Sequence, residues 1–170
     1  MRSFEASNCR VRQITAEETV PIRLAILRPG MARESALFPG DEATTTRHFG
    51  AFDSQKERLL GVVSIYRAAL EERPDMPDTW QLRGMATMPE VRGLGFGKAL
   101  VAACVEAVIQ ENGGLLWCNA RKSAVAFYAR QGWEILGDEF EIPTAGPHFK
   151  MLIRLRSRDG SHLFGLRETA

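Results

Sequence analysis

Residues 88–100 read Met-Pro-Glu-Val-Arg-Gly-Leu-Gly-Phe-Gly-Lys-Ala-Leu, with glycine at 93, 95 and 97 between Arg92 and Lys98. A strand-like run at 80–87 enters this stretch and a helix-patterned run at 98–111 leaves it. Glycines so spaced let the backbone turn tightly and bring several N–H groups against a ligand with no Cβ between. The first turn of a helix leaves the same groups unpaired, at the positive end of its dipole. A strand–loop–helix of this kind binds phosphate oxygens, and Arg92 and Lys98 add formal charge at its two edges. The stretch predicts a pyrophosphate cradle.

Two common pyrophosphate loops do not fit. A Walker loop needs a glycine where Arg92 stands and Ser or Thr where Ala99 stands. The dinucleotide fingerprint needs glycine at Lys98 or, counted from Gly95, at Leu100. A glycine-rich turn without a ligand is the bland alternative. It leaves the order of strand, Pro89, Arg92 and amphipathic helix unexplained.

The length of 170 residues predicts one domain, taken as 1–156, with a polar tail at 157–170. A net charge of +1 gives no electrostatic reason to expect nucleic acid or a membrane surface. No run approaches the roughly 20 apolar residues that span a bilayer, and the first residues lack an apolar signal segment. Cys9, Cys104 and Cys118 are scattered and odd in number, which suits buried thiols in a reducing compartment rather than a disulfide framework or a metal site. The expected protein is cytoplasmic, without a metal, and monomeric or homodimeric.

In order, the chain predicts a strand at 9–14, then a capping box, Thr15 with Glu18, opening a helix that Arg28-Pro29-Gly30 stops. A short helix at 31–37 and a turn at 38–41 follow. Strands are expected at 44–52 and 59–70, a surface loop at 71–78, and a third strand at 80–87. The 98–111 helix carries the buried stripe Leu100, Val101, Cys104, Val105, Val108 and Ile109, and should end at a C′ glycine within 112–114. A buried strand at 115–118, a helix at 123–131, and closing strands at 133–142 and 149–155 complete a mixed α+β order.

The run Arg92-Gly93-x-Gly95-x-Gly97, after a strand and Pro89, resembles the acetyl-coenzyme A loop of the GNAT acetyltransferase superfamily. That loop has the pattern Gln/Arg-x-x-Gly-x-Gly/Ala. Residues 116–121, then Ala126-Phe127-Tyr128 and Gly132-Trp133, look like the superfamily's second block. Leu27-Arg28-Pro29-Gly30, Phe38-Pro39-Gly40-Asp41 and the segment 140–151 look like a group of small uncharacterised bacterial members. The resemblance implies the GNAT acyl-CoA N-acyltransferase fold, a central mixed, mostly antiparallel sheet flanked by helices. It implies N-acetyl transfer from acetyl-CoA, the cosubstrate, to an amine of a small molecule or a protein. The alternative is a non-catalytic acetyl-CoA sensor, because many members carry a glutamate on the strand before the loop and this chain has Gln81 and Arg83 there.

Carried over residue by residue, the resemblance gives Arg92, Gly93, Gly95, Gly97 and Lys98 to the pyrophosphate, with Leu94 and Phe96 lending backbone N–H groups. It gives Met85, Ala86 and Thr87 to the thioester, and Asn119, Ser123, Phe127 and Tyr128 to the coenzyme's pantetheine end. For Ser123 a helix cap is the plainer role. The family often has asparagine seven residues before the tyrosine, where this chain has Arg121. Tyr128 matches the tyrosine that protonates the coenzyme thiolate in many members; packing on its helix is the other reading. For the base the sequence offers Glu139, Glu141, Asp41, His48 and His148, of which His148 and Glu141 are retained. Trp80, Trp117 and Trp133 read as packing.

Overall fold

Thr15 opens the first helix as the capping box predicts: the Glu18 N–H donates to Thr15 Oγ1 at 3.2 Å and the Thr15 N–H to Glu18 Oε2 at 2.8 Å. The structure is a computed structural model that describes residues 8–156. The chain falls into two units, one running to Arg67 and taking in Leu82–Cys104, the other made of Ala68–Gln81 and the chain from Val105 on. The tail at 157–170 lies outside the described residues.

The first unit holds β1 (Cys9–Ile14), α1 (Ala16–Leu27), a 3-10 turn at Arg33–Ala36, β2 (Arg47–Asp53) and β3 (Arg58–Arg67). It also holds the later part of β4 (Thr79–Thr87) and the start of α2 (Phe96–Gln110). β1 pairs antiparallel with β2, and β2 with β3. Ile14, Ile22, Phe52, Val62 and Ala86 form its apolar cluster. Burying each large side chain of this kind stabilises by roughly 1.5–3 kcal/mol.

In the second unit the first three residues of β4 pair in parallel with β5 (Leu115–Arg121). A 3-10 turn (Lys122–Ala124), α3 (Val125–Ala129), β6 (Glu134–Ile142) and β7 (Gly146–Arg154) follow. β7 pairs antiparallel with both β5 and β6. Leu70, Leu115, Trp117 and Leu152 form the cluster here, and the Trp117 indole N–H donates to the Ala68 carbonyl at 3.2 Å. Parallel neighbours need a crossover, and α2 is the chain between β4 and β5. The strand order is β1-β2-β3-β4 in the first unit and β4-β5-β7-β6 in the second, mixed and mostly antiparallel as expected. All three tryptophans are buried.

Several boundaries differ from the sequence pattern. Asn112, not a glycine, takes the left-handed conformation that ends α2 (φ 57°), a role asparagine tolerates. Gly113 is needed for room instead: a Cβ there would meet Val108 Cγ1 at 2.4 Å and Trp80 Cδ1 at 2.8 Å. Residues 44–46 form a turn rather than strand, held by Thr46 Oγ1 donating to the Gly40 carbonyl at 2.6 Å. The strand from 59 ends at Arg67, leaving Leu70 buried in the following loop. The helix expected at 123–131 is divided into the 3-10 turn and α3. β7 begins at Gly146, so Pro147 lies in a strand; it pairs with β6 alone, and the β5 ladder starts at His148, so no second neighbour asks for its missing N–H.

Candidate active site

Pro89–Val91 forms a 3-10 turn after β4, and the Leu94 N–H donates to the Val91 carbonyl at 3.2 Å. Gly93 and Gly95 both have positive φ, 76° and 86°, where a side chain is strained. A Cβ at Gly93 would meet nothing within 4 Å, so the space over it is open. The Ala99 N–H donates to the Gly95 carbonyl at 3.0 Å and closes the first turn of α2. Among the described residues no backbone carbonyl takes the N–H of Gly95, Phe96, Gly97 or Lys98. Of the two residues expected to lend N–H groups, Phe96 has its own available and Leu94 gives its own to Val91. Lys98 and Arg92 are exposed. The donor set, the open face of Gly93 and the two cations fit a pyrophosphate.

At the end of β4, Gly84 has φ 66°, which breaks the strand's alternation just before Met85, Ala86 and Thr87. A Cβ at Gly84 would meet Phe38 Cε2 at 3.1 Å and Arg23 Nε at 3.3 Å. Gly61 on β3 has the same need: a Cβ there would meet the Ala86 carbonyl oxygen at 3.3 Å and Thr87 Cγ2 at 3.2 Å. Glycine at both positions lets neighbouring groups approach 84–87 closely.

In the second unit, Tyr128 is buried on α3, with its ring 5.0 Å from Phe127 and 5.0 Å from Trp133. Asn119 is exposed on β5, paired with Lys150. Ser123 is exposed inside the 3-10 turn and caps nothing, since neither that turn nor α3 has a side-chain cap. His148 is buried, and its Nδ1 lies 2.7 Å from the Gly146 carbonyl. A carbonyl only accepts, so Nδ1 carries the hydrogen and a neutral ring keeps its lone pair on Nε2. Glu141 is exposed opposite Pro147 on β7.

The other base candidates are engaged. Glu139 pairs with Lys122 at 2.7 Å. His48 uses both nitrogens, Nδ1 at 2.6 Å from Ser64 Oγ and Nε2 at 3.0 Å from the Asp41 carbonyl. Asp41 belongs to a buried network that sequence reasoning missed. Arg23, 0% exposed, donates to Asp41 Oδ2 at 2.6 Å, the Ala36 carbonyl at 2.9 Å, Ser64 Oγ at 3.0 Å and Tyr66 Oη at 3.2 Å. Burial alone would raise the Asp41 carboxyl; hydrogen bonds from Arg23, Tyr66 and the Phe38 N–H outweigh it and hold the group below the usual carboxylate range. Burial, with Asp41 beside it, pushes the Tyr66 phenol up to about 12. The available signal was Arg23's place on the face of α1 that also buries Thr19 and Val20.

A family model described as "Acetyltransferase (GNAT) family" matches residues 16–133. The "Uncharacterized N-acetyltransferase YitI" of Bacillus subtilis (strain 168) is 32% identical over 149 residues, 86% of this chain and 97% of that protein. Among solved structures, the ribosomal-protein-S18-alanine N-acetyltransferase of Escherichia coli aligns with a TM-score of 0.69 at 15% identity, over 92% of this chain and 99% of its own. An aminoglycoside 6'-N-acetyltransferase complexed with coenzyme A aligns with a TM-score of 0.67 at 13% identity, over 88% of this chain and 98% of its own. At such identities the two structural likenesses speak for the fold.

Proposed function

This chain belongs to the acetyltransferase (GNAT) family, and we propose from that premise how its residues move an acetyl group from acetyl-CoA to an amine. Arg92, Gly93, Gly95, Gly97 and Lys98 hold the pyrophosphate, with N–H groups from the first turn of α2. The observation that carries this is the open loop itself: left-handed Gly93 and Gly95, and backbone donors that no carbonyl occupies. Met85, Ala86 and Thr87 align the thioester, on a segment whose position depends on Gly84 lying against Phe38 and Arg23 and on Gly61 lying against Ala86 and Thr87. Asn119, Ser123 and Phe127 serve the pantetheine end.

In the reaction the neutral amine nitrogen attacks the thioester carbonyl carbon. A C–N bond forms, the C–S bond breaks, and the sulfur leaves as a thiolate. The Tyr128 hydroxyl gives the thiolate its proton, and the amine's surplus proton goes to His148 Nε2 or to Glu141. The tautomer that Gly146 imposes favours His148. The buried thiols Cys104 and Cys118, whose ionisation burial disfavours, support a reducing, cytoplasmic setting.

Thermal unfolding with acetyl-CoA, ATP or NAD tests the site. A ligand at 100 times its dissociation constant stabilises by about 2.7 kcal/mol, a shift of several degrees. Stabilisation by acetyl-CoA alone is expected, and none at millimolar concentration refutes the cradle. Tyr128→Phe should slow turnover roughly 10²–10⁴-fold with coenzyme affinity retained. If affinity falls and turnover of the bound complex does not, Tyr128 is packing.

A further inference from the structure

Phe38 carries three arginines around one ring. The Arg23 guanidinium carbon lies 4.0 Å from its centroid, that of Arg83 at 5.3 Å and that of Arg28 at 5.6 Å. Arg83 also lies 5.0 Å from the Tyr66 centroid. Each is within the reach of a cation–π contact. The three arginines differ in one respect. Arg23 is neutralised by Asp41. Neither Arg28 nor Arg83 meets an acidic side chain among the described residues: Arg28 donates to the Leu27 carbonyl, and Arg83 reaches the Pro39 carbonyl at 3.5 Å. Both are half-buried.

A stacked arginine with water on its outer face needs no anion, and one alone would carry no weight. Here two unneutralised guanidiniums flank a single ring, and the nearest buried carboxylate, that of Asp41, is committed to a third. Concentrating like charge in this way is unfavourable unless an anion joins it. Arg83 is also placed for a substrate. It lies two residues before Met85 on the same strand, with Gly84 between.

We propose that Arg83 and Arg28 bind a carboxylate on the acceptor, so that the amine acetylated by this enzyme belongs to a free amino acid or a similarly compact aminocarboxylic acid. This rests on the acetyl-transfer reading and names the substrate class within it. The planar guanidinium fork matches a carboxylate bidentately, and stacking on Phe38 and Tyr66 holds that fork in place before the ligand arrives. A carboxylate on Arg83 is held by the same strand that carries the segment given to the thioester. That suits an amine and a carboxylate separated by a few bonds.

The test follows release of coenzyme thiol from acetyl-CoA by the full-length chain. The acceptors are the free amino acids, their matched carboxamides, polyamines and O-phosphoethanolamine. At least one free amino acid should be turned over, with its carboxamide roughly 10–100-fold lower in kcat/KM, the range for a hydrogen bond to a charged group. Arg83→Gln should remove that difference by raising KM for the acid more than it lowers kcat, and Arg83→Lys should restore it in part. Heat protection by acetyl-CoA should stay at the wild-type level in both variants. Equal use of acid and carboxamide overturns the proposal, as does preference for a polyamine or for O-phosphoethanolamine. So does an undiminished preference for the acid in Arg83→Gln and Arg28→Gln, or no turnover of any amino acid while acetyl-CoA still protects. If acetyl-CoA fails to protect the wild-type chain, the acetyl-transfer reading falls, and this proposal with it.

Discussion

The Arg23 guanidinium meets the Asp41 carboxylate at 2.6 Å, with side chains 0% and 5% exposed. Removing one member of a buried, hydrogen-bonded pair leaves an uncompensated charge and costs roughly 3–5 kcal/mol. Asp41→Asn keeps the shape and removes the charge, so it should destabilise by that amount in urea unfolding with the slope unchanged. A loss below about 1 kcal/mol, the value of a surface pair, would mean that water reaches Arg23.

The same pair sets the acid limb of stability. The folded Asp41 carboxyl titrates below its unfolded value of about 3.9. Its contribution is therefore present above that value and lost as pH falls through the lower, folded one. The thermal midpoint should drop as pH falls below about 4, and Asp41→Asn should flatten that drop. Glu18, Glu72 and Asp75 are also depressed, but Glu72 and Asp75 are exposed and Glu18 is only half-buried, so water screens their share of the effect.

Tyr66 sets the alkaline limb with the opposite sign. Its folded value, pushed up to about 12, lies above the unfolded value of about 10. Its contribution is complete below pH ~10 and is lost as pH rises toward 12. The chain has two tyrosines, so ultraviolet absorbance of tyrosinate in wild type and Tyr66→Phe assigns the transition. A Tyr66 titration at the ordinary value would show that Asp41 does not hold the phenol proton.

What was legible in the sequence was local. Thr15 and Glu18 are three residues apart, the glycine loop is seven residues long, and the α2 stripe repeats within one helix, so each carries its own signature. The Arg23–Asp41–Ser64–Tyr66 network has none, because its members come from α1, a turn and β3 and meet only through tertiary packing. Arg83 looked like a missing glutamate; only its stacking on Phe38 and Tyr66 gave it a role. Asn112 and Gly113 exchanged expected roles because the pattern marks a turn without saying which residue needs the unusual φ and which needs the space.

That exchange is measurable. Gly113→Ala places a methyl where Val108 and the Trp80 ring already stand, so it should cost about 1–3 kcal/mol, as overpacking does. Asn112→Gly relieves a left-handed side chain at φ 57° and should change stability by less than about 1 kcal/mol. Equal effects from the two substitutions would undo the assignment.

Gly93 separates the backbone's demands from the ligand's. Its φ of 76° makes any side chain strained, by roughly 1–2 kcal/mol, yet a Cβ there would touch no protein atom within 4 Å. Gly93→Ala should therefore lower stability without ligand by about that amount and leave the fold intact. If the pyrophosphate lies against this face of the loop, the same methyl meets its oxygens, and acetyl-CoA should protect the variant much less than the wild type. Full protection at matched acetyl-CoA concentration would put the coenzyme elsewhere, and would leave the left-handed glycine as a requirement of the turn into α2 alone.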